Sequence, residues 1–160
     1  MRKILFTLLV AVVMNLPATA FIPIERFVIK IDSAAFDTLV GRVVDGKTWV
    51  AANSVPTVVD FNATWCGPCQ QMEPILHLLV NKYNLVNFYS IDVDENRPLA
   101  KQLGVTNIPL LLLCPEDGEP TAIVGFHDFD EMSKIIEQTL GPLEKVRRPQ
   151  APPILPAERP

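Results

Sequence analysis

The sequence is short of cysteine and histidine, has no excess of basic charge, and beyond its first twenty residues contains no long apolar run. Each shortage removes a class of protein. Three cysteines in 160 residues are too few for a disulfide-dense scaffold. With 49% of its residues apolar, the chain is able to bury a core without such staples. One cysteine pair is therefore free for chemistry, and one cysteine is left over. His77 and His127 are the two histidines, and with a single CxxC and Cys114 they compose no recognised zinc ligand set. Asp92, Asp94 and Glu95 cluster without EF-hand spacing and read as a solvated turn. Fourteen Lys and Arg against eighteen Asp and Glu argue against a nucleic-acid surface, which requires a basic stripe. There is no internal repeat.

The two ends differ from the middle. Arg2 and Lys3 precede an apolar run from Ile4 to Met14, and Ala18-Thr19-Ala20 offers small residues for cleavage. Residues 1–20 thus read as a cleaved signal peptide. An N-terminal anchor is the alternative, but Asn15 and Pro17 interrupt a run already short of the roughly 20 apolar residues that span a bilayer. Cleavage would leave twelve basic and eighteen acidic side chains, a net charge of −6. It would also place the cysteines in an oxidising compartment, periplasmic or secreted. At the other end, six of the nineteen residues in 142–160 are proline, so this segment is expected to be a flexible tail. Residues 21–141 are the expected domain.

Within that domain, alternation at Phe27, Ile29 and Ile31 predicts a strand over 26–31. Phe36, Leu39, Val40 and Val43 recur at helical spacing after a Ser33 cap. Asp45-Gly46 marks a turn, and residues 47–56 read as an approach loop, with a further helical turn as the alternative. A central strand is predicted over 57–62, a helix from Cys66 to about Lys82 containing Pro74, and a buried strand over 86–93. A short helix over 97–103 ends at Gly104. A hairpin pairs 110–114 with 121–124 around Glu116-Asp117-Gly118. A last helix is opened by an Asp128/Glu131 capping box and stopped by Gly141-Pro142. This order predicts an α/β protein with a central mixed sheet flanked by helices on both faces.

The most informative run is Trp65-Cys66-Gly67-Pro68-Cys69, at the junction of the central strand and its helix. A cysteine pair there suggests redox chemistry more than a structural staple. At the first helical turn, free N–H groups and the helix dipole lower the Cys66 thiol pKa from about 8.5 towards 7 or below. Cys66 is then the nucleophile and Cys69, one turn inward and expected to be more buried, the resolving thiol. Gly67 and Pro68 keep the ring tight, Pro68 at a position needing no donor. Trp65 is a candidate for lining a substrate groove. Asp60 is an acid within an apolar strand, and burial without a cation would raise its pKa. Cys114 reads as a buried, inert thiol, with a regulatory or dimer-forming role as the alternative.

These residues resemble the thioredoxin family over roughly 24–140. The WCGPC run, the Val59-Asp60-Phe61 strand, Pro74, Ile108-Pro109 and Gly125 fall in the family's order. The resemblance implies the thioredoxin fold, no cofactor beyond the Cys66–Cys69 disulfide, and no metal. It implies that Asp60 accepts the Cys69 proton, and that Pro109 is a cis-proline beside the cysteines, leaving the Ile108 backbone free to pair with substrate. Asn62 departs from the family's aromatic residue, and Phe88 stands where many members carry a lysine near the buried acid. The stretch from Phe36 to Asp60 is longer than usual.

The function expected is that of an exported protein-disulfide reductase. Its substrates would be disulfide-containing exported proteins, and by family analogy a membrane thiol reductase would be its electron donor. The Gly-Pro dipeptide resembles that of reducing thioredoxins, near −270 mV, rather than the strong periplasmic oxidant near about −120 mV. An oxidase or isomerase, a non-catalytic binding module and a locked structural disulfide are the alternatives.

Overall fold

The structure, a computed structural model, describes residues 26–141 and Leu143. The expected signal peptide and nearly all of the proline-rich tail lie outside the described residues. A five-stranded sheet occupies the centre in the order β1-β5-β4-β6-β7. Its strands are β1 (Ile29–Lys30), β4 (Thr57–Asn62), β5 (Asn87–Asp92), β6 (Leu110–Cys114) and β7 (Thr121–Val124). β1, β5 and β4 run parallel, and β6 and β7 are antiparallel additions. The sheet is mixed, as expected.

Four helices cover it: α1 (Ser33–Leu39), α2 (Gly67–Lys82), α3 (Arg97–Gln102) and α4 (Phe129–Leu140). Period-two alternation along β4 sends Val58 to one face and Val59 and Phe61 to the other. Val58 joins Met72, Leu76 and Leu79 of α2 with Met132 and Ile136 of α4. Val59 and Phe61 join Phe36 of α1 and Leu99 of α3. Helices thus lie on both faces. α2 continues through Pro74, and the Asp128/Glu131 capping box opens α4. Among the described residues, no helix is long and apolar enough to cross a membrane.

The region before β4 departs from the sequence reading. Asp32, not Ser33, caps α1 through its side chain, and the helix stops at Leu39. Residues 41–51 form a hairpin instead of a longer helix and a loop: β2 (Gly41–Val44) pairs with β3 (Thr48–Ala51). Asp45 and Gly46 supply its turn with φ of 54° and 67°, the left-handed conformation an Asp-Gly hairpin requires. Trp49 packs edge-on against Phe36, their ring centroids 6.2 Å apart. At the first strand, only Ile29 and Lys30 pair with β5. Of the three residues expected on one side of that strand, Ile31 is buried while Phe27 and Ile29 are exposed.

Gly41 is where the hairpin meets α1. Its φ is +153°, and an added Cβ would lie 2.5 Å from the Trp49 ring and 2.6 Å from the Val50 carbonyl oxygen. Gly41→Ala is therefore expected to destabilise the protein by about 1–3 kcal/mol through strain and displacement of Trp49, measurable by denaturant unfolding.

Candidate functional site

The site forms where β4 ends and α2 begins. Cys66 is the N-cap of α2, with extended backbone (φ −83°, ψ 102°), and its Sγ accepts the backbone N–H of Cys69 at 3.2 Å. The two cysteines form a disulfide with a Cα separation of 5.2 Å. Pro68 sits in the first turn of α2, where its missing N–H leaves no intrahelical bond unmade. Gly67 and Pro68 are exposed.

Cys69 is not the more buried thiol. The residues are 4% and 6% exposed for Cys66 and Cys69, so burial does not distinguish them. Position does: Cys66 caps the helix, whereas Cys69 lines a cavity of about 550 Å³ that also reaches Asp60, Asn62, Glu73, His77 and Ser90. His77, which periodicity places away from the apolar stripe, therefore faces the site.

Asp60 shares its sheet face with Val58, beneath α2, and is 6% exposed. Burial pushes its carboxyl up to about 6. A hydrogen bond from Asn62 opposes this rise, and the negative charge of Glu73 adds to it. The Asn62 Nδ2 donates to Asp60 Oδ2 at 2.7 Å and to Ser90 Oγ at 2.9 Å. Asp60 Oδ1 is buried without a hydrogen-bond partner. Strand register also corrects the place given to Phe88. Phe88 lies opposite Val58, and the residue opposite Asp60 is Ser90. Phe88 is a core residue, so no lysine-to-phenylalanine exchange bears on the acid.

Ile108 packs against the cluster of Ala63, Cys66 and Cys69. The Ile108–Pro109 peptide is cis, as the resemblance implied. Pro109 is buried, and its carbonyl accepts the Gly125 N–H at 2.8 Å. Trp65 is 69% exposed yet held in place, because its indole N–H donates to Asp94 Oδ2 at 2.7 Å. Asp94, read from sequence as part of a solvated turn, is thus a site residue. The Trp65 hydrogen bond, aided by Arg97, lowers its pKa. Asp92 of the same cluster is buried, accepting the backbone N–H groups of Asp94 and Glu95. Cys114 lies in the opposite core, its thiol pushed up to about 12 by burial. That keeps it protonated and inert at neutral pH. Among the described residues, no three His, Cys, Asp or Glu side chains are grouped to hold a metal ion.

The thioredoxin family profile matches residues 42–138, which include every one of these site residues. The chain belongs to the thioredoxin family. A thioredoxin of Borreliella burgdorferi is 38% identical over 96 residues, covering 59% of this chain and 82% of that protein. Thioredoxin H2 of Arabidopsis thaliana is 41% identical over 81 residues, covering 51% of this chain and 60% of that one. The structure of chloroplastic thioredoxin z superposes with a TM-score of 0.61 at 26% identity, over 71% of this chain and 95% of that one. The Cys66–Cys69 pair is accordingly the redox-active disulfide of a thioredoxin-like disulfide oxidoreductase.

Burial of Asp60 has a consequence for stability. Its native carboxyl, near 6 against an ordinary 3.8, binds a proton more tightly than the unfolded chain does. Between those values the native state holds more protons, so this group's contribution to stability falls as pH rises through about 6. Relative to Asp60→Asn, the oxidised wild type is expected to lose about 3 kcal/mol of unfolding free energy between the acid and alkaline sides of this window. Urea titrations of both proteins across the window would show parallel curves if the carboxyl were not buried.

Proposed function

We propose that the chain is an exported protein-disulfide reductase in which Cys66 attacks, Cys69 resolves and Asp60 accepts the resolving proton. The observation that carries the reading is the placement of Cys69, and not Cys66, in the cavity shared with Asp60. The Cys66 thiolate attacks one sulfur of a partner disulfide. A Cys66–partner disulfide forms and the partner's other sulfur leaves as a thiolate. Cys69 then gives its proton to Asp60 and attacks Cys66 Sγ, closing the Cys66–Cys69 disulfide and releasing the second partner thiol. Two electrons pass from the dithiol to the partner.

A carboxyl near 6 suits this step, being mostly ionised at neutral pH while remaining a better base than an exposed aspartate. Trp65, Gly67, Pro68 and Ile108 supply the surface on which a substrate strand rests, beside Pro109. Disulfide-containing exported proteins are the substrates. A membrane thiol reductase is the electron donor, since a reducing protein in an oxidising space needs a supply of electrons. The signal-like pattern of residues 1–20 supports export.

Cys66→Ser is expected to abolish insulin-disulfide reduction, and Cys69→Ser to accumulate Cys66 mixed disulfides that identify the partners by mass spectrometry. Asp60→Asn should slow resolution by about 10²-fold at neutral pH, the lower end of a general-base contribution. Acid-quenched thiol labelling should find the pair mostly reduced in the native compartment. A fully oxidised pool would instead support the oxidase reading.

A further inference from the structure

We propose that Asn62 is a positioning residue for the proton transfer: its carboxamide ties one oxygen of Asp60 to Ser90 and leaves the other oxygen free for the Cys69 proton. The inference rests on the reading of Asp60 as proton acceptor. Asn62 stands two residues beyond Asp60 on the same face of β4, and Ser90 is the cross-strand partner of Asp60 on β5. One amide nitrogen therefore meets both: 2.7 Å to Asp60 Oδ2 and 2.9 Å to Ser90 Oγ. Oδ1 is left buried and unpartnered, in a residue that lines the same cavity as Cys69. Donation to the charged carboxylate favours ionisation, opposing burial and keeping the acid available as a base at neutral pH.

The other groups around Asp60 do not substitute for this donor. From β1, Lys30 lines the cavity, but its Nζ is paired with Glu95 at 2.8 Å. From α2, Glu73 and His77 line it, and the Glu73 charge disfavours ionisation of Asp60. From β6, Leu111 lies opposite Asp60 and brings no charge.

The test is the Asp60 carboxyl titration, followed by NMR in the oxidised full-length protein, alongside the pH profile of single-turnover resolution. In Asn62→Ala the proton affinity of Asp60 should rise about tenfold, the equivalent of one hydrogen bond to a charged group. The acid limb of the resolution rate should move to higher pH with it, and the rate should recover above that limb. Ser90→Ala, which removes only the carboxamide's second anchor, should shift both in the same direction by less. Glu73→Gln should shift both the opposite way. A carboxyl titration unmoved in both Asn62→Ala and Ser90→Ala would overturn the inference. So would a titration that moves without the kinetic limb, which would leave Asn62 a structural residue only. Failure of the underlying reading shows separately, as wild-type resolution by Asp60→Asn.

Discussion

Strand β4 is hydrogen-bonded on both sides, in parallel to β5 and antiparallel to β6, and helices cover both of its faces. Every side chain it carries must therefore be accommodated inside the protein. Five of its six residues are apolar or polar groups that the core can pair, but Asp60 is a carboxylate, and burying it opposes ionisation. The rest of the site follows from that placement. Strand β4 leads into the Cys66 cap of α2, so the acid and Cys69 come to line one cavity. The acid's unusual proton affinity is thus a consequence of sheet topology.

Around this centre, the exposed and buried parts of the site are held by different means. The rim is fixed by local polar contacts, chiefly Trp65 on Asp94 and Asp94 on Arg97. These contacts are solvent-exposed and contribute little to stability, but they orient the indole. The floor is fixed by packing, with Ile108 against the cysteines and Gly125 bonded to Pro109.

Much of this was legible in the chain. β4, α2, β6, β7 and α4 declare themselves through apolar periodicity and strong boundary residues, the Asp128/Glu131 box and the Cys66-Gly67-Pro68-Cys69 start being local signals. Residues 40–51 were misread because Leu39, Val40 and Val43 mimic helical spacing. The Asp45-Gly46 turn, already recognised, and Gly41 before it were the better guides to a hairpin. Phe27 and Ile29 alternate like a buried strand, yet β1 is a two-residue edge, and alternation says nothing of which face is covered.

The sequence by itself determined the identity of the cysteine pair, the helix that presents it, and the presence of an acid within an apolar strand. These depend on residue type and short spacing, so they are visible in one dimension. The tertiary structure decided the neighbours. Register placed Ser90, not Phe88, opposite Asp60, and brought Glu73 and His77 of α2 to the same cavity. It also turned Asp94 from a solvated turn into the partner of Trp65. Such contacts join residues far apart in the chain, and a one-residue change in strand register would alter every one of those across the sheet.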